Sequence, residues 1–342
     1  MSFGLQSANM DIADSNSHPF SVLTPDFVLD ALESLGYICD GRLLALNSYE
    51  NRVYQVGIED SDPLIAKFYR PARWSDEQIL EEHEFSFELA EQELPIVAPL
   101  VQDGISLFRC GEGDTEFRFA LFPRKGGHAP ELDNEDNLLI LGRLLGRMHR
   151  VGSAQQFQHR PKISVDKFGQ DSVGFITNHF IPADLKASYN AIAQDVLSRV
   201  NELYSANELT FIRVHGDCHV GNILWRDDNP HFVDLDDARM APAIQDIWML
   251  LSGDRSQQIT QLSVVMEGYK DFNEFDAREL CIAESLRALR ILHYSAWLAK
   301  RWDDPAFPHS FPWFNTQRYW EEQILILREQ RAALDEPPLP IY

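Results

Sequence analysis

Asp217, Asn222 and Asp234 set two acids and an amide at intervals that suit phosphoryl transfer. They lie in Val214-His215-Gly216-Asp217-Cys218-His219-Val220-Gly221-Asn222 and in Phe232-Val233-Asp234-Leu235-Asp236. Moving the γ-phosphoryl group of ATP asks for little covalent chemistry from a protein. It asks for a carboxylate that orients the attacking hydroxyl and for oxygen ligands that hold magnesium on the phosphates. Asp217 can be that carboxylate. Asn222, five residues on, and Asp234, twelve after that, can hold the metal, with Asp236 as a further carboxylate. Magnesium favours hard oxygen donors and retains some of its waters, so this short set is enough. Either acid alone reads as an ordinary turn residue. The ordered set of His-Gly-Asp, then Asn, then Asp-x-Asp carries the reading of an ATP-dependent kinase.

The surrounding residues supply the elements that must position this set. Phe211-Ile212-Arg213-Val214 and Asn222-Ile223-Leu224-Trp225 are short apolar runs, and His231-Phe232-Val233 leads directly into Asp234. Arg226-Asp227-Asp228-Asn229-Pro230 between them is a strong turn sequence. The acids therefore fall on a loop and on a strand end around a hairpin, where two segments can aim them at one point.

Taken together, these residues resemble the aminoglycoside phosphotransferase and choline kinase branch of the protein-kinase-like fold. Within it, His215 to Arg226 and Phe232-Val233-Asp234-Leu235-Asp236-Asp237-Ala238-Arg239 are most similar to the bacterial stress response kinase A (RdoA/YihE-type) family. The similarity runs from about residue 21 to the C-terminus and includes Lys67-Phe68-Tyr69-Arg70-Pro71 and Gln78-Ile79-Leu80-Glu81-Glu82-His83. The resemblance implies an α+β, two-lobed fold, with a small N-lobe built on an antiparallel sheet and a larger, mainly helical C-lobe. It implies a cytoplasmic serine/threonine protein kinase of a stress response that uses ATP and Mg2+. Asp217 would be its proton acceptor, and Asn222 and Asp234 its magnesium ligands.

The chain also departs from ordinary protein kinases. Their His-Arg-Asp stands here as His215-Gly216-Asp217, and their Asp-Phe-Gly as Asp234-Leu235-Asp236. No G-x-G-x-x-G loop precedes the lysine. Leu46-Asn47-Ser48-Tyr49-Glu50-Asn51-Arg52-Val53-Tyr54 occupies that place, where the Ser48 hydroxyl and backbone N–H groups can cover the phosphates. Only eleven residues separate Asp234 from Asp246, too few for a phosphorylatable activation segment.

The nucleotide side is read from the first hundred residues. Leu43 to Leu46 and Val53 to Ile58 predict a hairpin around Ser48, and Pro63 to Tyr69 an apolar strand with one lysine, Lys67. A lysine there faces out or meets anions; in a kinase it holds the α- and β-phosphates and pairs with a helix glutamate. Trp74 to Gln92 predicts that helix, capped by Ser75 with Gln78 three residues on. Glu82 is the expected partner, with Glu81 and Glu84 as alternatives. Phe117 to Pro123 predicts a strand running into a linker, the hinge of the resembling fold, which makes Phe122 a candidate adenine contact. Arg124 to Pro130, with Gly126-Gly127, reads as a flexible connection.

The expected organisation is a tail over 1–20, a nucleotide-binding N-lobe over 21–123 and a catalytic, acceptor-binding C-lobe over 124–342. The 342 residues suffice for one large or two medium cores. A net charge of −23 argues against nucleic acid, and no apolar run reaches membrane-spanning length. Cys39, Cys110, Cys218 and Cys281 are too scattered for a metal site and fit reduced thiols in the cytoplasm. Cys218 beside the base invites a redox role, against the plainer one of a small buried hydrophobe. His215 and His219 look like zinc ligands only out of context, and His215 fits a support of the loop through hydrogen bonds. Helical periodicity is predicted over 138–150, 188–204, 244–251, 257–269 and 276–302. In the resembling fold the last of these walls the acceptor pocket, so Arg290, His293, Tyr294 and Trp297 are candidate acceptor residues. The partner is a protein serine or threonine, or a small hydroxyl compound, taken by a monomer.

Overall fold

The computed structural model describes residues 20–227 and 229–341, so the expected tail lies outside it except for Phe20. Thr24 caps helix α1 (Pro25–Glu33) by accepting a hydrogen bond from Phe27 N, and Pro25 sits at the start, where its missing N–H costs nothing. A five-stranded antiparallel sheet follows: β1 (Cys39–Ala45), β2 (Arg52–Ile58), β3 (Leu64–Phe68), then helix α2 (Asp76–Glu91), then β4 (Phe108–Cys110) and β5 (Phe117–Pro123). The spatial order is β1-β2-β3-β5-β4. Strand β1 begins four residues before the expected Leu43, because a bulge with Gly41 at φ 81° carries the pairing back to Cys39. Ser75 and Gln78 form a full capping box at the start of α2.

Strand alternation decides where the lysine goes. Ala66 and Phe68 point into the core under α1, with Val28, Leu32, Val56, Phe119 and Leu121; the Phe68 and Phe119 rings stack 5.2 Å apart. Lys67, between them in β3, therefore takes the other face of the sheet, towards α2 and the second lobe.

The second lobe is mainly helical. Its elements are α3 (Glu135–Ala154), α4 (Asp171–His179), α5 (Lys186–Ala206), β6 (Ile212–Val214), β7 (Ile223–Arg226), β8 (Asn229–Phe232), β9 (Arg239–Ala241), α6 (Ile244–Trp248), α7 (Arg255–Lys270), α8 (Ala283–Ala299), α9 (Ala306–Ser310) and α10 (Gln317–Ala333). Two small antiparallel pairs, β6 with β9 and β7 with β8, interrupt the helices at the motif. The helix expected over 276–302 is in fact two elements: Asp276 caps a 3-10 segment (Ala277–Ile282), and α8 starts only at Ala283. Among the described residues, no helix is long and apolar enough to cross a membrane.

Helices α3 and α7 approach closely because glycines face backbone across the contact. A Cβ on Gly142 would lie 2.1 Å from Val265 O, and one on Gly268 would lie 2.2 Å from Leu139 O. Gly142→Ala must push the helices apart, and we expect a loss of about 1–3 kcal/mol in urea unfolding. An unchanged midpoint would show that the helices can separate freely.

Candidate active site

The loop after β6 is held in place by one buried carboxylate. Asp246, at the start of α6 and fully buried, accepts hydrogen bonds from His215 N and Gly216 N at 2.8 Å each. His149 Nε2 lies 3.1 Å from the same carboxylate, and Gln245 Nε2 donates to Gly216 O at 2.9 Å. Gly216 is needed there: its φ is 84°, and a Cβ would meet Asp237 O at 2.2 Å. The His215 ring donates through Nε2 to Val233 O at 3.0 Å, which ties the loop to the residue before Asp234.

Two further bonds join the motif residues. Asn222 Nδ2 donates to Asp217 O at 2.9 Å, and Val233 N donates to Asn222 O at 3.0 Å. Asp234 follows in the left-handed region at φ 60°, where its side chain leaves the strand end and is 52% exposed. Asp217 itself meets Arg290 Nη1 at 2.6 Å and, at a longer 3.5 Å, His219 Nε2. His219 Nδ1 accepts from Gly221 N at 2.9 Å, so the ring proton sits on Nε2 and faces Asp217. Burial would raise the Asp217 pKa, but the His219 contact and the Arg290 charge hold it below the usual carboxylate value.

Lys67 and Glu82 of α2 form an ion cluster with the segment after β8. Lys67 Nζ lies 3.0 Å from Asp234, 3.1 Å from Asp236 and 3.7 Å from Glu82. Burial opposes its charge, yet Asp236, Glu82 and Asp234 outweigh that and lift its pKa well above the ordinary lysine value. Burial raises the Glu82 carboxyl, because its share of Lys67 is at longer range than those of the aspartates. Arg160 steadies Glu82 at 3.3 Å and also donates to the Asp236 carbonyl at 3.0 Å. The alternatives to Glu82 do other things: Glu81 accepts from the backbone N–H groups of His159 and Arg160, and Glu84 is exposed.

Asp236, expected as a metal ligand, stands in a different setting from Asp234. Its side chain is only 4% exposed and is shared between Lys67 and Arg73. Burial alone would raise its pKa; Arg73 and Lys67 pull it down to about 2. Cys218 is fully buried, and burial pushes its thiol well above the ordinary value, which disfavours the reactive thiolate that a redox role would need.

The loop between β1 and β2 is held from the second lobe. Glu50 pairs with Arg70 at 3.2 Å, Arg73 at 3.5 Å and Arg301 at 2.7 Å, and accepts the Trp297 indole N–H. Tyr49 packs on Phe311, and Arg52 and Arg70 both reach Asp304. Ser48 is half-buried beside them. Together these segments enclose a cavity of about 900 Å³. Ser48, Lys67, Glu82, Phe122, Asp217, Asn222, Asp234 and Asp236 all line it, as do Arg290, His293, Tyr294 and Trp297 of α8. Tyr294 and Trp297 stack at 5.7 Å, while His293 lies against Phe168 and is kept neutral by burial, its pKa lowered to about 3.

Sequence reading missed Glu50, Arg73, Arg160 and Asp246. Asp246 alone carried a local signal, as an acid within the apolar stretch Ala243-Ile244-Gln245-Asp246-Ile247-Trp248. Glu279 supports α6 in turn, accepting from Ile244 N at 2.9 Å. Burial lifts its pKa from 4.5 to about 7. The folded protein thus keeps a proton that the unfolded chain loses, and stability falls as pH rises from about 4.5 to 7, by roughly 3 kcal/mol at most. Glu279→Gln should flatten that part of the curve in denaturation at several pH values; an unchanged slope would refute the assignment.

The profile of the phosphotransferase enzyme family matches residues 42–281. Stress response kinase A of Escherichia coli (strain K12) is 45% identical over 333 residues, covering 96% of this chain and all of the relative. Serine/threonine protein kinase RdoA of Salmonella typhimurium is likewise 45% identical over 333 residues, with 96% and 100% covered. Among solved structures, amicoumacin kinase hAmiN in complex with AMP-PNP, Ca2+ and Ami superposes with a TM-score of 0.70 at 21% identity, covering 93% of this chain and 95% of its own. At that identity the likeness speaks for the two-lobed kinase-like fold.

Proposed function

Because the chain belongs to the phosphotransferase enzyme family and passes a phosphoryl group to a hydroxyl acceptor, we propose that it is an ATP- and magnesium-dependent serine/threonine protein kinase. One observation carries the reading: Lys67 from the sheet and Asp217, Asn222 and Asp234 from the second lobe line a single cavity between them. A protein that only bound nucleotide would have no use for Asp217. The name of the Salmonella relative supports a protein acceptor.

Asp217 orients the acceptor hydroxyl and takes its proton. Lys67, held by Glu82 and Asp236, steadies the α- and β-phosphates, while Ser48 and its loop cover them and Phe122 packs beside the adenine. The donors fit magnesium. Asn222 commits its amide nitrogen to Asp217 O and keeps its oxygen free, and the Asp234 carboxylate is half exposed in the cavity. When bound, the metal neutralises phosphate charge. Asp236 serves as counter-ion to Lys67 and Arg73 instead of a third ligand.

The aromatic wall of Tyr294 and Trp297 favours a second reading, a kinase of small hydroxyl compounds, since a cavity of about 900 Å³ is of ligand size. Incubation with magnesium and γ-labelled ATP separates the two, using a dialysed lysate and its small-molecule filtrate, with Asp217→Asn as control. Label on protein serine or threonine, absent with the variant, supports the protein kinase. Label confined to the filtrate replaces it with the small-molecule reading.

A further inference from the structure

Phosphoryl transfer spreads negative charge over the equatorial oxygens of the moving group, and a cation there accelerates it. The loop between Asp217 and Asn222 holds Cys218, His219, Val220 and Gly221, so it brings no fixed cation. His219 is committed on both ring nitrogens, to Gly221 N and towards Asp217. Of the cavity's arginines, Arg73 is held by Glu50, Asp236 and Asp237, Arg239 by Asp237, and Arg301 by Glu50. Arg290 differs: its carboxylate partner is Asp217 itself, at 2.6 Å, and its side chain is 45% exposed in the cavity.

That pairing links two events. When the acceptor hydroxyl passes its proton to Asp217, the charge that holds the guanidinium is lost. The acceptor oxygen meanwhile bonds to the γ-phosphorus, the bond to the β–γ bridging oxygen breaks, and its electron pair leaves with ADP. We propose that Arg290 is a catalytic residue of this step, leaving Asp217 as the carboxylate is protonated and bonding the equatorial oxygens of the transferring phosphoryl group. The planar, forked guanidinium suits two such oxygens. The proposal rests on the kinase reading of Asp217.

The test needs no knowledge of the acceptor. Calorimetry would measure binding of ADP with magnesium, and of the same pair with aluminium fluoride as a mimic of the planar phosphoryl group. ATP hydrolysis with water as acceptor would be followed in parallel. For Arg290→Ala we expect ADP affinity within about threefold of wild type, but a loss of about a hundred- to a thousandfold for the aluminium fluoride complex and for turnover. Added guanidinium should restore part of both. Arg290→Lys keeps the charge without the fork and should lose less, which carries the test if the alanine variant does not fold. Equal affinity of Arg290→Ala and wild type for the aluminium fluoride complex, or an equal loss for ADP alone, would overturn the proposal. Asp217→Asn separates the two levels. If it is inactive while Arg290→Ala is not, only the role of Arg290 falls; if it hydrolyses ATP normally, the kinase reading falls and this proposal with it.

Discussion

Asp217→Asn should cut phosphoryl transfer by about a hundred- to ten-thousandfold while leaving nucleotide affinity near that of wild type. The amide keeps the size of the carboxylate and an oxygen that Arg290 can reach, so the loop between β6 and β7 should hold its shape. What it loses is the basic oxygen that takes the acceptor proton. The ATP-side residues Lys67, Ser48 and Phe122 belong to other segments and are untouched. Single-turnover transfer from γ-labelled ATP, set beside a fluorescence titration with nucleotide, checks both halves. Transfer at the wild-type rate would show that Asp217 is not the proton acceptor. A parallel loss of nucleotide binding would point instead to a damaged loop.

Asp246→Asn should cost about 3 kcal/mol of stability and much of the activity as well. Both oxygens of Asp246 are surrounded by donors: Gly216 N on one, His215 N and the His149 ring on the other. In asparagine one oxygen becomes an NH2 group, and whichever way the amide turns, a donor then faces a donor. The site is fully buried, so water cannot repair the mismatch. The backbone of His215 and Gly216 would shift, and Asp217 follows them directly in sequence. Chemical denaturation and transfer assays on the same preparation test this. Wild-type stability would mean that the carboxylate contributes little beyond what an amide can supply.

How much of this was legible beforehand depended on sequence separation. Asp217, Asn222 and Asp234 fall within one loop and hairpin; Asp227, at φ 51°, marks the bend, while Asn229 and Pro230 of the expected turn belong to β8 and pair with β7. Lys67 stood out because an apolar strand has little other use for a lysine. The N-terminus of α2 was readable because a capping box is set by residues three apart. Thr24-Pro25 marks the start of α1 and Thr316 that of α10 in a similar way, whereas α4 and α9 have no side-chain cap. In α10 buried Trp320, Ile324, Leu327 and Gln330 recur at helical spacing, but exposed Leu325 and Ile326 blur that apolar stripe in the sequence.

The choice among Glu81, Glu82 and Glu84 needed the phase of α2 against β3, which only the packed lobes supply. Successive helix positions turn by about 100°, so one residue of difference sends Glu81 to the backbone of residues 159–160 and Glu82 to Lys67. Arg290 was a candidate on an aromatic helix, yet nothing local pairs it with Asp217, 73 residues away. Among the described residues, Glu50 has no local partner that would single it out in the loop around Ser48; Trp297, which donates to it, is 247 positions on. By itself, then, the sequence determined the chemistry: which groups can take a proton, hold a cation or meet a phosphate, because those properties belong to side chains at short spacing. The tertiary structure decided which charges neutralise one another and how the loops are held. Ion pairs across a cavity join chain segments whose distance in space is unrelated to their distance in sequence.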